Sequence, residues 1–401
     1  MFIVEQPFAS DFFFRSLEKL QAPVLRGAAV EEFNVANRNL NLVSDKEFVE
    51  YYRKIPEPLY CNSENGLSRV STLLPDAPFV RLAELFKNKA KFRRAVAPLY
   101  PRFAFREVDL NELQTLRYED LPRRFVVKPT VGFLSVGVRF VESAEDWERV
   151  RTEILRESAD GTADFPREVV DLTRYLIEET VDGEEIAVDA CFDAQGSPIV
   201  LDVLRHPFVD ANDVRDRVYA TSKKFVRRLL PTLETTLAQI GATVAKTLDT
   251  SFDVAFPFHA EFRVADDGSL APIEINPGRF AGWHTTELAF YAYGIDVYET
   301  LTRGSHPDWA RILADENDDA VSYFAIFETP RSLAENNANP DAAFDYDALS
   351  REFSTLFELR RIDWRRRPIA AIAFAQTSDP QELQRVLELD VERFAQTRRS
   401  L

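Results

Sequence analysis

Several residue types are scarce in this chain, and each scarcity excludes a class of protein. The 401 residues include two cysteines, Cys61 and Cys191, which are too few and too far apart for a disulfide framework or a zinc-ligand spacing. Four histidines argue against a histidine-based transition-metal site. The expected compartment is therefore a reducing cytoplasm.

Long apolar runs and excess positive charge are also missing. The longest clear apolar run, IAAIAFA at 369–375, is much shorter than the roughly 18 residues that a membrane helix needs, and it suits a buried strand. The N-terminus lacks the basic flank and cleavage pattern of a signal peptide. The net charge of −17 argues against a phosphate backbone as a general partner. We therefore expect neither a nucleic acid nor a membrane partner.

Lysine is scarce as well, which draws attention to the lysine that ends an apolar strand. The chain has ten lysines and 39 arginines, and no lysine follows Lys246. Lys128 lies in FVVKPTVGFLSVGV (125–138), before a turn that contains Gly and Ser. Lysine neutralises phosphate, and backbone N–H groups of such a turn can cradle it. Taken alone, an ordinary β-turn is the commoner explanation, and the Walker pattern is absent.

The order of apolar runs and helical patterns predicts a multidomain α/β and α+β protein. Strands and helices alternate up to residue 85, and consecutive strands after 174 indicate a partly antiparallel sheet. Helices are predicted near 45–54, 86–98, 144–157, 223–249 and 285–303. The tail after 320 reads as strand, loop, helix (346–359), strand and helix (380–397), which predicts a small separate α+β lobe.

The segment PIEINPGR (272–279) carries the most specific chemistry. If Asp267-Gly268 is a two-residue hairpin loop, Glu261 lies opposite Glu274, and His259 lies opposite Asn276. Cross-strand partners have Cβ atoms roughly 4.5–5.5 Å apart, so the two carboxylates repel unless a cation lies between them. Magnesium suits such oxygen ligands. A solvated polar edge or a protonated carboxyl group is the alternative.

Five segments of the chain, taken in order, form one further pattern: FKNKAKFRRAVAPLYPRF, FVVKPTVGFLSVGV, YLIEETVDGEEIAVD, FHAEFRVADDGSLAPIEINPGR and GIDVYETLTRG. Together they resemble the ATP-grasp superfamily of carboxylate–amine ligases, of the D-alanine ligase and L-amino acid ligase type, from about residue 86 to 304. The resemblance implies an ATP-grasp fold with a small lobe (86–172) and a large lobe (173–320). The α/β pattern of 1–85 fits the Rossmann-like domain that precedes the grasp in this superfamily. The predicted C-terminal lobe (321–401) has no counterpart in the resemblance.

The resemblance also implies a site for ATP and for Mg²⁺ or Mn²⁺. Lys89 and Lys128 would contact phosphates, and Ser135 would belong to the phosphate loop. Glu178, with the backbone of Glu179 and Val181, would surround adenine, and Glu185 would hold ribose. The metal ligands would be Glu261, Glu274 and Asn276. The catalytic candidates are Arg279, which would stabilise the reacting phosphoryl or tetrahedral group, and His259.

The implied activity is ligation: a substrate carboxylate is activated as an acyl phosphate and joined to an amine, with amino acids or similar small molecules as substrates. Three features depart from the family pattern: bulky Phe133 and Leu134 in the phosphate loop, one extra residue in NPGR, and His259 where D-alanine ligases place arginine. A nucleotide-binding regulatory protein, a small-molecule kinase and a partner-binding scaffold are the alternatives. Homodimer formation stays open.

Three side chains allow two readings each from the sequence. His259 either orients substrate or acts as a base, or it bonds Asn276 across the hairpin as a structural residue. His284 lines the substrate pocket or begins a helix. Arg205 faces the phosphates or, more commonly for such a position, lies on the surface.

Overall fold

The computed structural model describes residues 1–33, 35–132, 137–159, 172–208, 217–315 and 319–396. Across these ranges the chain has the predicted mixture of α/β and α+β parts, built on three main sheets.

The N-terminal part is a parallel β/α unit. Its elements are β1 (Phe2–Ile3), α1 (Asp11–Leu20), β2 (Val24–Leu25), α2 (Ala28–Glu32), β3 (Leu42–Val43), α3 (Asp45–Lys54), β4 (Tyr60–Cys61) and α4 (Asn65–Leu73). The strand order is β3-β2-β1-β4, and each neighbouring pair is parallel. Helix α1 begins after Ser10, whose hydroxyl accepts a hydrogen bond from the Phe13 amide at 2.9 Å.

Two helices replace the single basic helix that we predicted over 86–98. They are α5 (Pro78–Lys87) and α6 (Lys89–Val96). The chain turns at Asn88, whose side chain accepts a hydrogen bond from the Lys91 amide at 2.9 Å and so starts the second helix. This break places Lys89 in the first turn of α6, where the buried side of the helix faces the rest of the protein.

A four-stranded antiparallel sheet follows. Its elements are β5 (Phe105–Asp109), α7 (Leu110–Thr115), β6 (Phe125–Pro129), β7 (Arg139–Val141), α8 (Ala144–Ala159) and β8 (Arg174–Glu179). The order is β5-β8-β6-β7. The two helices cover one face through a core that includes Val127, Trp147 and Ile177. The Trp147 indole N–H donates to the Leu116 carbonyl at 3.0 Å.

The central sheet begins with β9 (Glu184–Phe192), β10 (Pro198–Arg205), β11 (Val218–Thr221), β12 (Phe256–Val264) and β13 (Leu270–Pro277). Helix α9 (Lys223–Leu248) packs on one face, where β12 contributes apolar Phe258, Ala260 and Phe262. Because side chains alternate along a strand, His259 and Glu261 lie on the opposite face. No helix among the described residues is long and apolar enough to cross a membrane.

The helix predicted over 285–303 is interrupted. A 3₁₀ turn at Gly282–Glu287 leads into α10 (Leu288–Tyr293), and α11 (Val297–Arg303) follows after Gly294. Gly294 has a φ of +74°, which ends α10 in a left-handed cap. A short helix, α12 (Trp309–Ile312), closes this part of the chain.

The C-terminal strands correct two of our predictions. The elements are β14 (Val321–Glu328), α13 (Arg331–Glu335), β15 (Ala343–Phe344), α14 (Tyr346–Ser350), β16 (Thr355–Arg361), β17 (Ile369–Thr377), α15 (Pro380–Leu387) and β18 (Ala395–Gln396). The predicted helix 346–359 is wrong, because it ends at Ser350 and gives way to β16. The helix predicted over 380–397 ends at Leu387.

The tail after 320 was predicted to be a separate lobe, but its main strands belong to the central sheet. Strand β14 pairs with β11, and the central sheet has the continuous order β13-β12-β9-β10-β11-β14-β17-β16. The apolar tail strand β17 finds its partners on both sides within that sheet, which buries its backbone groups better than a detached hairpin would. Apolar side chains of the tail, among them Tyr323, Leu349 and Phe394, form a core cluster that also includes Val218 and Ala220 of β11.

Candidate nucleotide and metal site

The hairpin β12–β13 has the predicted pairing at the site. Glu261 is the cross-strand partner of Glu274, and His259 is the partner of Asn276. The loop prediction was wrong by one residue, because Ala265 donates to the Ser269 carbonyl at 2.9 Å and Gly268 has a φ of +79°. That geometry is a three-residue loop. A register shift between Glu261 and Phe262 compensates, so the functional pairs are unchanged.

Glu274 is held as a charged carboxylate between a lysine and an amide. Its Oε2 lies 2.8 Å from Lys89 Nζ, and its Oε1 accepts a hydrogen bond from Asn276 Nδ2 at 2.9 Å. Burial opposes the charge, but Lys89, Lys128 and the Asn276 amide outweigh it and lower the pKa of Glu274 to about 2. Glu274 is therefore ionised throughout the neutral range.

The residues present fit a magnesium-type ion. Two carboxylates and one amide lie on the same face of the hairpin. The Asn276 amide nitrogen is already engaged with Glu274, so its carbonyl oxygen is the atom that would bind a cation. Among the described residues no group of three or more His, Cys, Asp and Glu side chains forms a metal-type cluster. A small protein donor set is what Mg²⁺ uses when phosphate and water complete its shell.

Lys128 joins the small sheet to the hairpin. It is buried on β6, its Nζ contacts Glu178 on the neighbouring strand β8, and it reaches the Ile273 carbonyl at 3.5 Å. Lys89 reaches the Gly132 carbonyl at 2.9 Å, in the segment that leads from β6 into the predicted phosphate loop. Both predicted phosphate lysines thus lie at the same junction. Ser135 lies outside the described residues.

Glu178 is more enclosed than a sequence reading indicates. Besides Lys128, it accepts a hydrogen bond from Arg93 Nε at 3.1 Å, and Arg93 Nη2 lies 2.9 Å away. Burial raises the pKa of Glu178, but Lys128 and Arg93 outweigh that effect and hold it below the ordinary value. Arg93, which also lies over the Phe103 ring, was missed because nothing in the basic helix distinguishes it from its neighbours.

The predicted adenine and ribose residues follow along the chain. The Glu179 N–H already donates to the Ala104 carbonyl at 2.9 Å. If adenine binds here, the backbone group of Glu179 that would accept a hydrogen bond from it is the carbonyl. Val181 comes two residues later, partly exposed, in the link between β8 and β9. Glu185 is half-buried, with its Oε2 2.6 Å from Arg263 Nη2 and its Oε1 3.4 Å from His206 Nδ1.

Arg279 lies between the hairpin and the N-terminal unit. Its Nη2 is 2.9 Å from Glu64 Oε1, and the attraction of Glu64 and Glu274 raises its pKa even though burial opposes the charge. The extra residue in NPGR is Gly278, which has a φ of +75° and whose carbonyl accepts a hydrogen bond from the Cys61 amide at 2.8 Å. A Cβ at this position would lie 2.7 Å from the Leu67 side chain, so the loop needs glycine.

His259 pairs with a residue that sequence reasoning missed. Its Nδ1 lies 2.7 Å from Asp189 Oδ1 on β9, and its Nε2 lies 3.8 Å from Glu261 Oε1. Neither predicted alternative for His259 named this partner. The available signal was a single acidic residue inside the apolar segment IAVDACF, on the same face as Glu185.

The structure also locates Arg205 and His284, for which the sequence allowed two interpretations each. Arg205 is half-exposed and pairs with Glu184, which agrees with the surface reading. His284 is fully buried, and its Nδ1 lies 2.6 Å from the Tyr298 hydroxyl. Burial, and then the charge of Arg360, lowers the pKa of His284 to about 3, so it is neutral. His284 has a φ of +57° and its neighbour Trp283 a φ of +56°. Positive φ values at two consecutive non-glycine residues are rare.

A protein-family model for the ATP-grasp domain matches residues 121–287. Those residues contain β6, Lys128, the hairpin and its metal-type set. Residues 121–287 form an ATP-grasp domain. No curated protein sequence matches the chain.

Solved structures extend the likeness in fold to nearly the whole chain. L-amino acid ligase from Bacillus licheniformis is 15% identical with a TM-score of 0.63, over 98% of this chain and 97% of that one. Phosphoribosylamine–glycine ligase from Thermotoga maritima is 12% identical with a TM-score of 0.59, over 98% and 96%. The biotin carboxylase domain of a Hydrogenobacter thermophilus carboxylase, solved with MgADP, is 13% identical with a TM-score of 0.58, over 94% and 86%. The chain therefore has the ATP-grasp fold.

Glu274 gives an expected acid dependence of stability. Its folded pKa of about 2 lies below the ordinary 4.5, so its contribution to stability is complete above the ordinary value and is lost as the pH falls towards 2. In urea unfolding, we expect Glu274→Gln to be less stable than the wild type near neutrality and to converge with it in acid. A stability difference that stays constant over this range would contradict the ion pair with Lys89.

Proposed function

We propose that this ATP-grasp protein is an ATP-dependent ligase that joins a substrate carboxylate to an amine. The observation that carries the proposal is the convergence of Glu261, Glu274 and Asn276 on one hairpin face with Lys89 and Lys128 at its edge. This arrangement offers oxygen ligands for a divalent cation beside two cations suited to phosphate.

Each group has a role in the proposed reaction. Mg²⁺ held by the hairpin set would neutralise charge on the phosphate oxygens of ATP. Lys89 would leave Glu274 and bind a phosphate oxygen. Lys128, which contacts Glu178, would likewise bind a phosphate oxygen. Arg279, held by Glu64 next to Glu274, would face the group that reacts. No protein nucleophile is required.

The proposed chemistry has two steps. A carboxylate oxygen of the first substrate attacks the γ-phosphorus of ATP, and ADP leaves. The amine nitrogen then attacks the acyl carbon, its proton is lost, and phosphate leaves with the former carboxylate oxygen. The fold shared with an L-amino acid ligase and with a phosphoribosylamine–glycine ligase supports an amino acid as one substrate.

The test is a phosphate-release screen over pairs of amino acids and other carboxylates, with ATP and Mg²⁺. We expect phosphate release to require both a carboxylate and an amine. When the carboxylate carries ¹⁸O, one labelled oxygen should appear in the released phosphate, as an acyl phosphate demands. A stable phosphorylated product would instead identify a kinase, and ATP binding without turnover for any pair would identify a regulatory protein.

A further inference from the structure

Two fully buried aspartates face each other behind His259. Asp189 on β9 and Asp202 on β10 are cross-strand partners, and both have no exposed surface. The ladder shifts register between Val200 and Asp202, and this irregularity brings the second aspartate opposite the first. Directly opposed side chains lie on the same sheet face, a few ångströms apart.

Each aspartate has one oxygen engaged and one without a partner. Asp189 Oδ1 accepts a hydrogen bond from the Ala281 amide at 2.9 Å and lies 2.7 Å from His259 Nδ1. Asp202 Oδ1 accepts one from the Val203 amide at 2.8 Å. The Oδ2 atoms of both aspartates are buried and lack a hydrogen-bond partner. Two ionised carboxylates in this position would repel each other, and burial would add to the cost.

Within the described ranges no lysine or arginine forms an ion pair with either aspartate, and the titratable neighbour of Asp189 on β12 is His259. On the other side of Asp202, the Thr221 hydroxyl of β11 donates to the Val203 carbonyl at 2.7 Å and lies 2.6 Å from the Tyr293 hydroxyl of α10. Tyr60 is buried nearby, and its pKa is raised by burial and by the charges of Asp189 and Glu287, while the charge of Arg279 opposes that shift.

We propose that Asp202 carries a proton that it donates to Asp189 Oδ2, and that the resulting acid–carboxylate pair positions His259 in the candidate active site. Asp189 then keeps one negative charge and accepts from Asp202, Ala281 and His259. Burial, followed by the charge of Asp189, raises the pKa of Asp202 to about 8, which agrees with this assignment.

The pair would determine the tautomer of His259. An ionised Asp189 can only accept, so a proton of the imidazole lies on Nδ1, and Nε2 lies on the side of Glu261. Asp189 also holds the Ala281 amide, two residues after Arg279, and so ties together the two catalytic candidates. The consequence for turnover rests on the proposed ligase function, in which the amine substrate would donate a hydrogen bond to Nε2.

The protonation of Asp202 is tested without any activity. Infrared difference spectra of wild type and Asp202→Asn at neutral pH should show the carbonyl stretch of a protonated carboxylic acid in the wild type and its loss in the variant. An asparagine amide can donate to Asp189 as the acid does, so Asp202→Asn should fold with an unchanged melting temperature. Spectra with no such difference, or a variant that unfolds, would overturn the proposal.

The positioning of His259 has its own readout. The chain has four histidines, which makes imidazole ¹⁵N spectra tractable, and His259→Gln identifies the relevant signal. We expect the Nδ1–H tautomer in wild type and in Asp202→Asn, and a changed tautomer in Asp189→Asn. If the ligase function holds, Asp189→Asn should lower kcat about 10–100-fold with an unchanged KM for ATP. An unchanged kcat, or the Nδ1–H tautomer retained in Asp189→Asn, would refute the role of the pair.

Discussion

Glu274→Gln is expected to lower ATP turnover by about a thousandfold while leaving the fold intact. Glutamine keeps the shape of the side chain, but it removes the partner of Lys89 and the charge that would hold the proposed cation. Charge neutralisation at transferring phosphate is among the largest contributions in phosphoryl transfer, and a thousandfold loss corresponds to about 4 kcal/mol of transition-state stabilisation. The measurement is phosphate release at saturating ATP with varied Mg²⁺.

Asp266→Asn is the matched control for this variant. It removes a carboxylate from the exposed loop of the same hairpin, so it changes the net charge equally without touching the site. We expect the control to retain wild-type turnover and Mg²⁺ dependence. Comparable activity in Glu274→Gln and in the wild type would reject the hairpin as a metal site.

Arg360→Met is expected to reduce the free energy of unfolding by about 3–5 kcal/mol, the usual cost of removing one partner from a buried ion pair. Arg360 lies on β16, is buried, and contacts Glu287 Oε2, while its Nη1 donates to the His284 carbonyl at 3.0 Å. Glu287 Oε1 also accepts from the Ser10 hydroxyl at 2.5 Å and the Tyr298 hydroxyl at 2.8 Å. This buried network connects the N-terminal unit, the segment after the hairpin and the C-terminal strands.

The measurement is urea unfolding followed by circular dichroism. Arg366→Met is the control, because Arg366 is exposed and its partner Asp363 is also largely exposed, so a change below about 1 kcal/mol is expected. A double variant, Arg360→Met with Glu287→Leu, should be less destabilised than the sum of the single changes, because no buried charge is left unpaired. A loss below about 1 kcal/mol for Arg360→Met alone would show that the network is not needed for stability.

The β12–β13 hairpin shows that alternation along strands can predict cross-strand pairs even when the loop length is wrong. Alternation along two adjacent strands placed Glu261 opposite Glu274 correctly, although the loop was one residue longer than predicted. A bulge after Glu261 restored the pairing, since a slip of one residue would have turned the polar side chains into the apolar face under α9. The apolar positions therefore protect the register even where the turn is misjudged.

The predictions that failed depended on contacts between distant segments. The residues after Ser350 were predicted to continue a helix, but β17 offers a paired edge on which they form β16. Asp189, Asp202 and Arg93 were not singled out, because each is an ordinary charged residue until strands or helices from other parts of the chain bring its partner close. The domain boundaries stay predictions.

The sequence by itself determined the type of most elements, the hairpin with its two carboxylates and amide, and the strand that ends in Lys128, because these depend on alternation and spacing between near neighbours. Tertiary structure alone decided that the tail strands extend the central sheet, that Lys89 reaches Glu274, and that Asp189 supports His259. Those contacts arise when distant segments pack and exclude water, and buried charges must then find partners that no local pattern specifies.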